Sequence, residues 1–174
     1  MVERALELLI LTATRSGEVL GAQWHEFDLD KAVWTIPAER MKAGVEHRVP
    51  LSPPAVENIK SVSPQRSKFV FPGNSRNGTL TEKALHKLLV LRMKVEGATP
   101  HGFRSSFRDW AAEETHFANE VCEAALAHSI SNKVEAAYRR GDLFEKRREL
   151  MRAWAKFCTT PAEVSDVIPL RRSK

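Results

Sequence analysis

Apolar residues in the opening stretch, MVERALELLILTAT, fall at Ala5, Leu6, Leu8, Leu9 and Ala13. That spacing predicts a buried helix over residues 3–14. Ser16-Gly17 interrupts it, and a short helix is expected to follow through Leu20 and stop near Gly21. The period then changes. AVWTIP alternates as a strand, with Val33 and Ile36 on opposite sides, and HRVPLS reads as its antiparallel partner. ERMKAGVE is the hairpin connection, turning around Gly44. Pro53-Pro54 open a helix that runs through about Ser61. FVFPG reads as a short third strand. TLTEKALHKLLVLRMKVEG is a strongly amphipathic helix, capped by Thr81 and stopped by Gly97. After ATP, helices are expected over 102–115, 119–127, 131–139 and 143–158, with Asn119, Ser131 and Asp142 as caps or turn residues. The final stretch, TTPAEVSDVIPLRRSK, is interrupted by proline and is expected to be extended or mobile. The fold class is α+β: mostly helical, with a small antiparallel sheet near the front.

Composition narrows the class. The chain has 174 residues, 43% hydrophobic and 28% charged, which suits one soluble globular domain with a real core. The net charge of +5 points mildly to an anionic partner, nucleic acid first. No apolar run approaches the roughly 18 residues of a membrane span. Cys122 and Cys158 lie far apart and match no metal spacing, so they read as thiols of a reducing cytoplasm. The start lacks a cleavage-site pattern, which argues against a signal peptide. It looks like a helix entered partway, as though sequence preceded it.

Four segments carry candidate chemistry. In TATRSGEVLGAQW, Arg15 sits between two helices with Glu18 three residues on. Such a junction can hold a guanidinium rigidly against a carboxylate, as a binding group or as a plain structural ion pair. In ERMKAGVEHRVPLS, Lys42 rides an exposed hairpin, where an ammonium can reach a bound polyanion or serve as ordinary surface. In TPHGFRSSFRDWAAE, Pro100 favours a helix start, and His101 and Arg104 share a face of its first turn. Exposed N–H groups there also favour an anion. Phe103, Phe107 and Trp110 read as core. In EAALAHSISNKVEAAYRR, His128 ends one helix, and Tyr138, the one tyrosine of the chain, sits on the next. His25, His47, His86 and His116 suggest no metal site. There is no glycine-rich phosphate loop, no GxSxG elbow and no Cys/His signature.

In this order the four segments resemble the tyrosine recombinases, specifically the prophage integrases of the P4-like type. The likeness runs from Arg15 to the helix ending near Phe157. HGFRSSFRDWAAE and VEAAYRRGDLFEKRR look like the P4-like branch in particular, as does LAH, where many recombinases have LGH. The resemblance implies a catalytic domain over 1–158 and a tail over 159–174. Arm-binding and core-binding domains, which precede the catalytic domain in full-length integrases, are expected to be missing, whether by excision or in a prophage remnant.

The resemblance further implies site-specific DNA cleavage and rejoining through a 3′-phosphotyrosyl intermediate, with neither metal nor cofactor. Arg15, Lys42, His101, Arg104, His128 and Tyr138 take the catalytic positions, and Glu18 orients Arg15. Arg139, Arg140, Lys146, Arg147 and Arg148 are either a solvated helix face or contacts to the DNA backbone. The implied partner is double-stranded DNA in the bacterial cytoplasm, bound as a homotetramer when full length, the fragment alone being a monomer. Three other readings stay open: a catalytically silent DNA-binding remnant, a type IB topoisomerase and a helical interaction domain.

Overall fold

The helix expected at the start is α1, Val2–Thr12, and it lies at the centre of the molecule. Ala5, Leu6, Leu8, Leu9 and Leu11 are all buried, so its apolar surface spans more than one stripe and needs neighbours on several sides. Those neighbours are α2 (Ser16–Leu20), α3 (Pro53–Lys60), α4 (Glu82–Lys87) and α7 (Phe144–Thr159). Each fully buried leucine contributes about 1.5–3 kcal/mol. The structure, a computed structural model, describes residues 1–62, 67–128 and 141–161.

Three antiparallel strands form one sheet in the order β1 (Phe27–Asp28), β2 (Val33–Ile36), β3 (His47–Pro50). The register pairs Trp34 with Val49 and Ile36 with His47. Trp34 is fully buried, stacks on Phe27 at 5.1 Å and donates its indole N–H to Glu26 at 2.9 Å. The third strand is not FVFPG. Within it, Phe69 makes a single bridge to Gln23 and Pro72 one to Thr79. Proline offers no N–H to continue a ladder. A side chain at Gly73 would meet the Thr79 carbonyl at 2.5 Å, so the backbones there approach too closely for a regular strand.

The amphipathic helix starts as expected, with Thr81 Oγ1 accepting from the Ala84 N–H at 3.3 Å. It does not reach Gly97. After Lys87 it widens into a π-helical turn, Leu88–Arg92, closed by Met93 N–H to the Leu88 carbonyl at 2.9 Å. The extra residue in that turn keeps Leu88 and Leu89 in the core and turns Val90 and Leu91 outward.

A second apolar cluster joins α5 (Gly102–Glu113), α6 (Asn119–Ala125) and α7. Phe107 packs edge-on to Trp154 at 5.3 Å, and Phe103 and Trp110 are partly buried, as expected of core aromatics. Trp154 donates to the Ile10 carbonyl at 2.7 Å, which ties α7 to α1 across the two clusters. Asp142 accepts from the Phe144 N–H at 3.1 Å and so forms the turn into α7, whose N-cap position is Leu143. Asn119 is instead the first residue of α6, and its side-chain oxygen is taken by Arg108. The helix expected over 131–139, with its cap Ser131, lies outside the described residues, as does the tail from residue 162.

Arg147 corrects another expectation. It is 1% exposed and donates to the Asp142 carbonyl at 2.7 Å, to Asp142 Oδ2 at 2.9 Å and to the Arg48 carbonyl at 2.5 Å. It staples α7 to β3 and has no surface to offer DNA. Lys146 is exposed, Arg148 is half-buried against Glu145, and Arg139 and Arg140 lie outside the described residues.

Candidate active site

The seam between the two apolar clusters is where α1 ends and α2 begins. Ala13 closes α1 in the left-handed conformation, φ 51°, which turns the chain sharply and aims its carbonyl at α5. Arg15 then caps α2. Its backbone N–H donates to Glu18 Oε2 at 2.8 Å and its Nη1 to Glu18 Oε1 at 2.9 Å. Glu18 is only 4% exposed, so this carboxylate is committed to Arg15 and holds it from behind. The pairing expected from their three-residue spacing is present.

Arg104 enters from the first turn of α5 and is 5% exposed. Nη1 donates to the Ala13 carbonyl at 2.5 Å and Nη2 to the Leu126 carbonyl at 2.8 Å. Nη2 also meets His128 Nε2 at 3.3 Å. Among the described residues no carboxylate pairs with Arg104 directly. Burial, and secondly the nearby Arg15 charge, push its pKa down to about 10, with Glu18 opposing. It therefore stays protonated at neutral pH. A buried cation held on two neutral carbonyls and an imidazole is costly to desolvate, and an incoming anion would offset that cost.

His128 is oriented from both sides. Arginine can only donate, so Nε2 accepts from Arg104 and Nδ1 carries the proton. Nδ1 donates to Glu123 Oε2 at 2.6 Å, and the other Glu123 oxygen takes Arg108 Nε at 2.6 Å. Burial pushes the Glu123 carboxyl up, but hydrogen bonds and charge from His128 and Arg108 outweigh it, and the net shift is downward.

Arg15, Glu18, Arg40, Lys42 and His101 line a single cleft of about 430 Å³. Lys42 is exposed at the hairpin connection and His101 immediately precedes α5, whose first N–H, Gly102, is capped by Thr99 Oγ1 at 3.0 Å. Arg40 holds the connection that carries Lys42. Its guanidinium bonds both Glu26 carboxylate oxygens and the Glu18 carbonyl. Glu26 is itself buried and shared with Trp34.

Five of the six expected catalytic side chains thus fall into two linked groups. Arg15, Lys42 and His101 share the cleft. Arg104 and His128 touch each other, and Arg104 is joined to Arg15 through the α6 terminus, where Ala127 accepts from Arg15 Nη2 at 3.4 Å. Tyr138 lies outside the described residues. Three supporting residues escaped sequence reasoning: Glu26, Arg40 and Glu123. Their roles depend on contacts across the fold, and no spacing along the chain reports those. His47 is buried beside the guanidiniums of Arg147, Arg15 and Arg104. Among the described residues no cluster of ligating side chains suits a metal ion, and no helix is long and apolar enough to cross a membrane.

Residues 2–143 match the model of the phage integrase family. The chain is 36% identical over 149 residues to the prophage integrase IntA of Escherichia coli K12, covering 84% of this chain and 36% of that protein. It is 33% identical over 177 residues to the integrase of Enterobacteria phage P4, covering 90% and 40%. The chain therefore spans less than half the length of these relatives. In fold it is similar to an integrase from mycobacterium phage Brujita, with a TM-score of 0.69 and 21% identity over 93% of this chain and 54% of that one. It is also similar to the XerH recombinase bound to its difH substrate, with a TM-score of 0.56 and 18% identity over 92% and 47%.

Proposed function

Because the chain belongs to the phage integrase family, we propose that it is the catalytic part of a site-specific DNA recombinase, serving prophage integration and excision. The reaction is transesterification at a DNA phosphodiester. Tyr138 Oη bonds the scissile phosphorus and the P–O5′ bond breaks, leaving a 3′-phosphotyrosyl link and a free 5′-hydroxyl. A 5′-hydroxyl of another strand later reverses the step. One ester replaces another, so the reaction needs no energy source and no cofactor.

Each side chain has a task in this scheme. A phenol with a pKa of about 10 is a weak nucleophile at neutral pH, so its proton needs an acceptor, and His101 is assigned that role. Lys42 protonates the leaving 5′-oxygen. Arg15 and Arg104 hold the non-bridging oxygens, where charge grows in the transition state. His128 orients Arg104; a hydrogen bond from it to phosphate requires both ring nitrogens protonated, since Nδ1 already donates to Glu123. The observation that supports this reading best is Arg104: a buried guanidinium with no carboxylate of its own among the described residues, linked to a second guanidinium at a cleft that also holds Lys42 and His101.

The partner is double-stranded DNA. The full-length protein acts as a homotetramer on it, and this chain alone is a monomer. The test is a duplex nicked beside the scissile phosphate, drawn from a panel of attachment sequences. The wild-type chain should form a covalent adduct that survives a denaturing gel, and Tyr138→Phe should form none. Binding with no adduct on any sequence would leave only a silent DNA-binding domain.

A further inference from the structure

Arg104 and Arg108 lie four residues apart on α5 and share one face of it. Both donate toward α6. Arg104 holds the end of that helix, through the Leu126 carbonyl and His128, and Arg108 holds Glu123 and Asn119 earlier along it. Between the two arginines, Glu123 grips His128 twice. The helix ends in a Schellman turn: Ala127 is left-handed, φ 49°, its N–H donates to the Ala124 carbonyl at 3.2 Å, and the His128 N–H donates to the Glu123 carbonyl at 3.0 Å. The same turn brings the His128 ring to the Glu123 side chain, with Nδ1 and Oε2 2.6 Å apart.

These hydrogen bonds form a chain with a fixed direction. Arg104 can only donate, so His128 Nε2 accepts and Nδ1 donates. Arg108 can likewise only donate, and it meets Glu123 from the other side, Nε to Oε1 at 2.6 Å. Two donors therefore converge on one side chain. A carboxylate accepts on both oxygens, whereas a glutamine has one oxygen and an NH2 that would have to face one of the donors. We propose that Glu123 is a positioning residue for the phosphate clamp: as a double acceptor between two donors it holds His128 in the Nδ1–H tautomer, which keeps the Nε2 lone pair on Arg104 and that guanidinium in one orientation. The inference rests on the reading that Arg104 holds the scissile phosphate. The other two groups that fix Arg104, the Ala13 and Leu126 carbonyls, accept in any state. Only the imidazole can turn from acceptor to donor, so it is the contact that needs a lock.

The test compares Glu123→Gln with Glu123→Gln combined with Arg108→Met, in the whole chain. In the single variant the charged Arg108 takes the glutamine oxygen and the NH2 turns to His128, leaving Nδ1 bare and Nε2 protonated. In single-turnover cleavage of the nicked duplex, adduct formation should slow about tenfold or more, as expected for one charge-assisted hydrogen bond expressed in the transition state. DNA affinity should stay within about twofold. The double variant removes the competing donor, so the glutamine oxygen is free for Nδ1 and most of the rate should return. If Glu123 merely supported the helix, the second substitution would add a further loss. ¹⁵N NMR of the His128 imidazole at mildly alkaline pH supplies a readout that needs no cleavage. The proton should sit on Nδ1 in the wild type and the double variant, and on Nε2 in Glu123→Gln. A wild-type rate or an Nδ1 proton in Glu123→Gln would overturn the proposal, as would a double variant no faster than the single one, or a wild-type ring protonated on Nε2. If Glu123→Gln does not fold, the double variant decides alone: near-wild-type rate with the proton on Nδ1 supports the role, and loss of either refutes it. A wild-type chain that forms no adduct refutes the recombinase reading instead, and the NMR comparison still judges Glu123.

Discussion

Arg104 and Arg15 are tied to neighbouring peptide groups: Nη2 of Arg104 donates to the Leu126 carbonyl at 2.8 Å, and Nη2 of Arg15 donates to the Ala127 carbonyl at 3.4 Å. One short turn therefore sets the spacing of both guanidiniums. Like charges brought together this way repel, and the repulsion is tolerable because Glu18 sits behind Arg15 and because a bound phosphate would neutralise the pair.

Glu18→Gln should separate the charge of that carboxylate from its shape. The amide still accepts from the Arg15 N–H but no longer balances the guanidinium. Folding stability should fall by about 1–3 kcal/mol, read by denaturant titration, and cleavage by at least about tenfold. Cleavage unaffected by Glu18→Gln would mean that Arg15 needs no counter-charge.

Arg40→Ala should damage both stability and the hairpin. Glu26 is buried, and losing its guanidinium partner should cost about 3–5 kcal/mol. Arg40→Ala with Glu26→Gln should recover part of that stability while the Lys42 step stays slow. A double variant no more stable than the single one would show that Arg40 acts only as packing.

Acid should weaken the fold through His47. Its pKa falls from 6.5 to about 4 on folding. The unfolded chain therefore binds a proton in that interval and the folded chain does not. Stability is complete above pH 6.5 and is lost progressively as pH drops towards 4, by about 3 kcal/mol in total. His47→Gln should flatten this part of the pH–stability profile. The Glu123 carboxyl, whose pKa is lowered, adds a loss of the same sign at lower pH, as it protonates and releases His128 and Arg108. A profile that does not change in His47→Gln would contradict a buried neutral imidazole.

Arg147 and Lys146, adjacent in sequence, should behave in opposite ways. Arg147→Met should destabilise the chain by about 3 kcal/mol or more, since it strips the Asp142 and Arg48 carbonyls of a charged donor. Its effect on the salt dependence of DNA binding should be nil. Lys146→Gln should leave stability unchanged and, if it contacts backbone phosphate, reduce the slope of log affinity against log salt by about 0.9. Equal effects of the two on the salt slope would contradict the burial of Arg147.

These contrasts also show what was legible in the sequence. Helix α1, the β2–β3 hairpin, the Thr81 cap and the Asp142 turn follow from local rules: periodicity, turn residues, side chains that can close a first turn. The Arg15–Glu18 pair was legible for the same reason, lying within one helical turn. What failed depended on distant contacts. FVFPG has strand composition, but Pro72 and the close approach at Gly73 break its ladder. The two-residue strand β1 is too short to show alternation. The π-turn after Lys87 keeps helical periodicity in sequence while shifting its register in space. Arg147 stands in a run of charges that reads as surface, and only the fold shows that Asp142 and β3 enclose it. His47 reads as an ordinary strand residue until Arg15, Arg104 and Arg147 are seen around it.

The proposed chemistry depends most on Tyr138, and one measurement reaches it directly. The adduct formed on a nicked duplex is digested with nuclease and trypsin, and the peptide Val134–Arg139 is sequenced by mass spectrometry. The expected result is a nucleotide 3′-phosphate on Tyr138 in the wild-type chain, reduced by about 100-fold or more in Arg104→Gln, in line with the loss of one preorganised donor. A nucleotide carried by any other residue, or an adduct formed equally well by Arg104→Gln, would contradict it.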